Sequence, residues 1–173
     1  MEIDLTTCKI RSWNWQDLAS IARHANNRKV WINLRDGFPH PYTVADARNW
    51  LKIVTEYQPE TNFAIVVKDE AVGGIGFTLQ QDVAYRSAEI GYWLGEEYWG
   101  RGIATEVLIA ITDHAFSTYD LCRLYAHVFE WNHASARVLE KAGYLFEGRL
   151  RKSVTKDGQT IDQLMYAITR DQS

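Results

Sequence analysis

The sequence has few cysteines, few prolines and no long hydrophobic run, and each shortage excludes a class of protein. Its two cysteines, Cys8 and Cys122, lie far apart in 173 residues and share no motif, which disfavours a disulfide scaffold and a cysteine-bound metal site. The three prolines, Pro39, Pro41 and Pro59, all precede residue 60, and no Pro-, Gly- or Ser-rich stretch marks a linker. No apolar run reaches the roughly 18 residues of a membrane-spanning helix.

The sequence also lacks an excess of positive charge. Lys and Arg number 19 against 22 Asp and Glu, for a formal net charge of −3, whereas a general nucleic-acid binder needs a basic surface. Hydrophobic residues at 46% and charged residues at 24% are typical of a soluble globular domain. The first 13 residues contain no apolar signal core. We therefore expect a cytoplasmic protein that has no nucleic-acid partner and no membrane partner.

Hydrophobic spacing predicts a succession of helices and strands. An early strand is followed by a helix capped by Asn14, a short helical stretch over 27–34 and a helix starting at Thr43, where Asp46 nearly completes a capping box. Strands are predicted over 62–68, 71–81 and 87–94, with the first hairpin turning at Asp69-Glu70. The remaining predicted elements are a helix over 103–119, a strand over 123–128, a helix from Asn132 to Ala142 ended by Gly143, and a hairpin turning at Asp157-Gly158.

This order predicts the α/β (α+β) fold class. We expect a single domain spanning 1–173, with its core over about 8–170. The sheet should be mixed, mostly antiparallel and twisted, with flanking helices. The order strand, helix, strand around the 103–119 helix predicts one central βαβ crossover.

A glycine-rich turn between the strand ending at Leu94 and the helix starting at Ile103 is the most informative segment. Gly100 and Gly102 allow a tight turn, and the unpaired N–H groups of the next helix point back at that turn with about half a positive charge. Arg101 adds a full charge. A tight turn that binds nothing is the alternative interpretation. Neither the phosphate loop G-x-x-x-x-G-K-[ST] nor the dinucleotide motif G-x-G-x-x-G is present.

Two blocks resemble those of one enzyme family. The segment Gly100–Ala104 resembles the second half of the Q/R-x-x-G-x-G/A signature of the GNAT acyl-CoA N-acyltransferases. The run Asn132–Gly148 is similar to the N-x-x-S-x-R-x-x-E-K-x-G-[FY]-x-x-E-G run of their ribosomal-protein N-terminal acetyltransferase-like (RimJ/RimL-type) branch, as is the strand Glu89–Leu94. The resemblance covers about 10–170. The sequence departs at Trp99, where the signature usually has Gln or Arg.

The resemblance implies acetyl-CoA as co-substrate, no metal, and a set of cofactor contacts. Backbone groups of Tyr92, Trp93 and Leu94 would lie along the pantetheine arm, and Asn132 would contact the pantetheine or the acetyl end. The residues of the loop and the first helical turn would surround the pyrophosphate, chiefly through backbone N–H groups: Trp99, Gly100, Arg101, Gly102, Ile103, Ala104 and Thr105.

Two residues are the candidate catalytic groups. The resemblance places Ser135 where a hydroxyl assists the departing thiolate, by a hydrogen bond as much as by proton transfer. Glu89 would remove a proton from the amine, acting through water. His40, His127 and His133 are alternative bases with a suitable pKa range. An ordinary first-turn serine and a strand salt-bridge partner are the structural interpretations of Ser135 and Glu89.

The acceptor side is predicted only in outline. Asn33, Phe38 and Tyr42 lie in segments that resemble those flanking the acceptor cleft, although a loop covering the core explains them equally. The predicted function is transfer of an acetyl group to a primary amine of a small molecule or a protein N-terminus. A non-catalytic acyl-CoA-binding or regulatory module and an acyltransferase for longer chains are the alternatives. Exposed aromatic residues would be compatible with a homodimer.

Overall fold

The structure is a computed structural model that describes residues 1–171. Its β-strands are β1 (Glu2–Asp4), β2 (Lys9–Ser12), β3 (Asn62–Val67), β4 (Glu70–Leu79), β5 (Ser87–Leu94), β6 (Arg123–Phe129), β7 (Leu145–Lys156) and β8 (Gln159–Thr169). Its α-helices are α1 (Leu18–Ala25), α2 (Arg28–Trp31), α3 (Val44–Glu56), α4 (Ile103–Thr118) and α5 (His133–Lys141). Short 3-10 turns occupy Trp15–Asp17, Asp82–Ala84 and Glu96–Tyr98.

The strands form one eight-stranded sheet in the order β1-β2-β3-β4-β5-β6-β8-β7. Strands β5 and β6 pair in parallel, and helix α4 makes the crossover between them. The ladders β1–β2, β2–β3, β3–β4, β6–β8 and β7–β8 are antiparallel. The predicted fold class, a mixed and mostly antiparallel sheet with a central βαβ crossover, is confirmed.

The chain forms two compact units, and each unit consists of two separate segments of the sequence. The first unit comprises Met1–Gly76 and Tyr92–Val107, and the second comprises Phe77–Gly91 and Leu108–Ser173. The single domain over 1–173 stays a prediction. No helix among the described residues is both long enough and apolar enough to cross a membrane.

Side-chain caps fix where the helices of the first unit begin. Asn14 Oδ1 accepts from the backbone N–H of Gln16 at 2.9 Å, and Asp17 accepts from the Asn14 N–H at 3.0 Å. At the start of α3, the Thr43 N–H donates to Asp46 at 2.7 Å and the Asp46 N–H donates to Thr43 Oγ1 at 3.2 Å. The near match at Thr43 is thus a complete capping box in which aspartate does the work of glutamate.

Buried apolar residues fill the first unit. They lie on α1, on α3 and on strands β3 and β4, and they include Ile21, Ala25, Ala47, Leu51, Val54, Ala64, Val66 and Ala71. Trp13 and Tyr42 complete this cluster, and Phe38 and Trp93 pack against it. The core therefore reaches from the N-terminal helices to β5, the strand that precedes the glycine-rich turn.

In the second unit, a helix end and a hairpin turn lie at the residues predicted from the sequence. Helix α5 is followed by Gly143 at φ +89°, and the β7–β8 hairpin turns at Asp157 and Gly158, at φ +50° and +75°. Within the unit, the Tyr144 hydroxyl and Thr112 Oγ1 form a buried hydrogen bond of 2.7 Å. These elements hold β6 and α5, which carry the candidate groups of this unit.

The structure differs from the predicted elements at two places. The predicted early strand is a hairpin of two short strands, β1 and β2, which are too short to show an alternating pattern. The β3–β4 hairpin turns at Lys68 and Asp69, both with positive φ, so Glu70 is the first residue of β4 and not part of the turn.

Candidate active site

The glycine-rich turn has the geometry of an anion site. Gly100 and Gly102 adopt φ values of +71° and +81°, and a Cβ built on either would meet no described atom within 4 Å. At the start of α4, the Glu106 N–H donates to the Gly102 carbonyl at 3.1 Å. The N–H groups of residues 103–105 come earlier in the first turn and have no intrahelical partner. Open space beside these donors and the positive helix end fits a phosphate group.

The base of the turn is held by the strand before it. The Gly95 N–H donates to the Val72 carbonyl at 2.8 Å, and the Trp99 indole Nε1 donates to the Leu94 carbonyl at 2.7 Å. Trp99 keeps 43% of its surface exposed. The residue that departs from the family signature therefore ties the turn back to β5 through its side chain.

An acidic side chain ahead of the turn is neutralised by α2. Glu96 accepts a hydrogen bond from Asn27 Nδ2 at 2.8 Å and pairs with the Lys29 ammonium. These two contacts, with Lys29 the larger cause, lower the pKa of Glu96. The carboxylate is thus charged but compensated, and it fixes the turn to the start of α2.

A second acidic side chain, Glu106, lies in the first turn of α4 and is also engaged. Its carboxylate accepts from the Thr6 N–H at 2.6 Å, from the Thr7 N–H at 3.1 Å, and from the Thr7 hydroxyl. Burial raises the pKa of Glu106, but the hydrogen bonds from Thr7 and Thr6 outweigh it and the net direction is downward. These hydrogen bonds spread the negative charge of Glu106 over donors in the turn between β1 and β2.

Arg101 supplies the positive charge at the tip of the turn. Its side chain is exposed, and its guanidinium carbon lies 5.3 Å from the centroid of the Tyr98 ring. The Tyr98 ring in turn packs edge to face with the buried His24 ring, with the ring centroids 5.6 Å apart. This cation–π contact orients an exposed arginine without removing it from solvent.

Two glycines in β4 allow the end of β5 to approach closely. A Cβ on Gly73 would lie 2.4 Å from the Trp93 carbonyl oxygen and 3.0 Å from Leu94 Cα. A Cβ on Gly74 would lie 2.9 Å from both Trp93 Nε1 and Trp13 Cζ2. The half-buried Trp93 side chain therefore packs closely against β4 and the edge of the core cluster.

Two of the three predicted acceptor residues, Phe38 and Tyr42, are in ring contact. The Phe38 ring lies 4.9 Å from the Tyr42 ring and 5.5 Å from the Trp93 ring. Tyr42 is buried, and burial, followed by the charge of Asp46, raises the pKa of its hydroxyl to about 12. The Asn33 amide instead donates to the Lys29 carbonyl at 3.2 Å.

In the second unit, Asn132 and Ser135 share the first turn of α5. Asn132 Oδ1 accepts from the Ser135 N–H at 3.2 Å, which makes Asn132 the N-cap. Both residues are half-buried. Because the cap uses the amide oxygen, the amide nitrogen is the end of Asn132 that suits a ligand acceptor atom.

Glu89 is paired with a residue that the sequence pattern did not connect to it. His127 Nδ1 lies 3.1 Å from Glu89 Oε1. Of the other candidate bases, His40 is exposed with its ring 5.5 Å from the Trp31 ring, and His133 is exposed at the start of α5. The sequence predicted that β5 and β6 are parallel neighbours, which could have suggested a contact between residues on them. It does not predict the register that brings these two side chains together.

Within residues 1–171, no group of three or more His, Cys, Asp or Glu side chains is placed to hold a metal ion. Cys8 is buried and Cys122 is half-buried, and both are free thiols. Burial raises the pKa of Cys8, as for a cysteine that belongs to the core.

The βαβ crossover and the glycine-rich turn before α4 are features expected of an acyl-CoA-dependent transferase, and comparison with known proteins gives the family. The model of the acetyltransferase (GNAT) domain matches residues 8–145. The chain belongs to the GNAT acetyltransferase family.

Similar proteins place the chain among N-acetyltransferases. The uncharacterized N-acetyltransferase p20 of Bacillus licheniformis is 33% identical over 136 residues, which cover 75% of this chain and 76% of that protein. The ribosomal-protein-serine acetyltransferase of Escherichia coli is 31% identical over 105 residues, or 61% and 58% of the two chains. The structure of Mycobacterium smegmatis RimJ in complex with CoA-disulfide aligns with a TM-score of 0.83 and 29% identity, over 94% of this chain and 81% of that one. These similarities support the RimJ/RimL-like branch.

The close approach of β4 to β5 gives a stability prediction. Gly73→Ala places a methyl group against the Trp93 carbonyl, so the strand must shift and the free energy of unfolding should fall by about 1 to 3 kcal/mol. Gly91→Ala is the matched control in β5, since its Cβ meets no described atom within 4 Å. Urea unfolding would measure both variants. Equal stabilities for the two would contradict the close approach.

Proposed function

We propose that this protein transfers an acetyl group from acetyl-CoA to a primary amine of a small molecule or of a protein N-terminus, by direct attack of the amine on the thioester. The observation that carries the proposal is the turn before α4, where Gly100 and Gly102 hold positive φ beside the first-turn N–H groups. Membership of the GNAT family supports the same donor.

The first unit would bind the nucleotide end and the pantetheine arm of the cofactor. Backbone N–H groups from Gly100 to Thr105 would donate to the pyrophosphate, with Arg101 adding its charge and Trp99 bracing the turn. Backbone groups of Tyr92, Trp93 and Leu94 would pair with the amides of the arm, like an added strand. Acetyl-CoA supplies the activated carbonyl carbon, and this chain's part is to hold it and to handle protons.

The second unit would supply the polar side chains of the reaction. The Asn132 amide nitrogen would donate to the pantetheine or acetyl end while its oxygen stays in the helix cap. The Ser135 hydroxyl would donate a hydrogen bond to the sulfur as the C–S bond breaks, because a thiolate leaves more easily when its charge is shared. Glu89 would take part in removing the proton of the amine.

The acceptor is proposed only as an amine. One relative is a ribosomal-protein-serine acetyltransferase, and another, 25% identical over 165 residues, is the spermidine N(1)-acetyltransferase of Escherichia coli. Both names imply an amine that is protonated at neutral pH.

Phe38, Tyr42 and Asn33 remain proposed acceptor residues, with the two rings acting as a packed wall and not through the buried Tyr42 hydroxyl. A second copy of the chain remains a proposed partner. The non-catalytic module is not favoured, because the similar proteins are N-acetyltransferases.

A thiol-release assay with acetyl-CoA and a panel of amines tests the proposal directly. The panel should include peptides with different N-terminal residues, spermidine, amino sugars and amino acids. We expect coenzyme A release with at least one amine and a product whose mass has increased by one acetyl group. Tight coenzyme A binding without turnover on any member would support the binding module instead.

The turn can be tested by adding a negative charge to it. Gly102→Glu places a carboxylate beside the proposed pyrophosphate, and like charges in contact cost several kcal/mol, so coenzyme A affinity should fall by about 100-fold or more. Gly158→Glu is the matched control, because Gly158 also has positive φ, at +75°, and open space around its Cβ. Calorimetry with coenzyme A would measure both. If a folded Gly102→Glu variant binds as the wild type does, the turn is not the phosphate site.

Ser135 can be separated from cofactor binding by kinetics. Ser135→Ala keeps the backbone N–H that Asn132 caps, so coenzyme A affinity should change little. The turnover number should fall by about 100-fold, at the low end of general-acid effects. Ser117→Ala on the exposed face of α4 controls for loss of a hydroxyl. An unaltered turnover number would remove Ser135 from the reaction.

A further inference from the structure

The pair Glu89–His127 lies at the carboxyl end of the parallel ladder. The ladder joins Ser87, Ala88 and Glu89 to Arg123, Leu124 and Tyr125, and among the described residues Glu89 is its last paired position in β5. In sheets with parallel strands, ligands bind outside the carboxyl ends of those strands. The pair is therefore at the end of the ladder where a reacting group would be expected.

Strand alternation puts the two side chains on one partly exposed face. Leu124, Ala126 and Val128 of β6 are buried, whereas Tyr125 and His127 alternate with them and are half-buried. Glu89 pairs in register with Tyr125. The side chains of His127 and Glu89 keep 23% and 27% of their surfaces exposed, which is enough to be reached by solvent or a ligand.

The hydrogen bond decides which nitrogen of His127 can accept a proton. Glu89 Oε1 lies 3.1 Å from His127 Nδ1, and an ionised carboxylate can only accept a hydrogen bond. The neutral imidazole must therefore carry its proton on Nδ1. The lone pair that can accept a proton is then on Nε2, the ring nitrogen that does not contact the carboxylate.

The charged and titratable neighbours leave this pairing intact. Arg123 on the same face of β6 pairs with Glu147 of β7, with Nη1 to Oε1 at 2.8 Å. The Tyr125 ring meets the His127 ring edge-on at 5.6 Å. Burial, and then the charge of Glu89, raises the pKa of the Tyr125 hydroxyl, so it stays neutral near pH 7. Residue Met165, opposite His127 in β8, carries no charge.

We propose that His127 Nε2 receives the proton of the acceptor amine and that Glu89 is a positioning residue, which fixes the tautomer of the imidazole and stabilises its charged form. This assignment rests on the proposed function. The ammonium group gives one proton to Nε2, directly or through one water, and the free amine forms the new N–C bond. The C–S bond breaks, the sulfur takes the second amine proton with the help of Ser135, and the imidazolium returns its proton to solvent.

Relative basicity favours an imidazole over a lone carboxylate in this step. An alkylammonium has a pKa near 10.4, an imidazole near 6.5 and a glutamate near 4.3. Proton transfer to the imidazole is thus about 100-fold less unfavourable than transfer to the carboxylate. A carboxylate behind the imidazole adds stabilisation of the positive charge that forms there.

The test compares pH profiles of kcat/KM for an amine that the wild type acetylates. We expect the wild-type rate to rise with pH as the base loses its proton, and a loss of about 100- to 10,000-fold in His127→Gln with that rising limb absent. Glu89→Gln should lose less, because its amide oxygen still accepts from Nδ1. His114→Gln on α4 is the matched control and should keep the wild-type profile. Coenzyme A affinity and the urea midpoint should stay at wild-type values in His127→Gln.

A second measurement does not depend on turnover. Nitrogen-15 NMR of the imidazoles should show His127 protonated on Nδ1 near neutral pH, and Glu89→Ala should remove that preference. An Nε2-protonated His127, a wild-type rate in His127→Gln, or loss of the imidazole limb in His40→Gln would each overturn the assignment while leaving the acetyltransferase proposal intact. A wild type that acetylates no amine overturns both.

Discussion

The first-turn N–H groups of α4 are the constraint on which the proposed cofactor site depends. Such donors attract any nearby carboxylate, and an acidic side chain that capped them would occupy the place of a phosphate. Two of the three acidic residues near them are engaged elsewhere: Glu96 by Asn27 and Lys29, and Glu106 by Thr6 and Thr7. With the carboxylates of Glu96 and Glu106 held by their own donors, backbone groups and Arg101 can bind an anion in a chain whose net charge is −3.

Much of the fold is predictable because its signals are local. The bounds of β5 and the start of α4 agree with the sequence prediction, and Asn132, Gly143 and the Asp157-Gly158 turn do the work that their residue types favour. Caps and turns depend on contacts within about four residues, which a single sequence displays. The β1–β2 hairpin was predicted as one strand, because three or four residues give too short a pattern to separate two strands.

The candidate site is predictable only where it is made of consecutive residues. The turn Gly100–Gly102 could be found because its glycines and the following helix adjoin in sequence. The contacts that hold the site come from far away: Glu106 lies about 100 residues from Thr6 and Thr7, and Glu89 lies 38 residues from His127. Such pairs depend on strand register and tertiary packing, which local patterns do not encode. The close approach at Gly73 is hidden for the same reason.

A base built from Glu89 and His127 also bears on which amine the enzyme would use. A protein α-amino group, with a pKa near 7.7 to 8.0, is about one-tenth unprotonated at pH 7, whereas an alkylamine with a pKa near 10.4 is unprotonated in fewer than about one molecule in 1,000. The second class depends much more on proton removal by the enzyme. The proposed base would therefore contribute more to the rate with strongly basic amines than with protein α-amino groups. The extent to which the rate depends on the base therefore distinguishes the two classes of acceptor, protein N-termini and small-molecule alkylamines, that the proposed function includes.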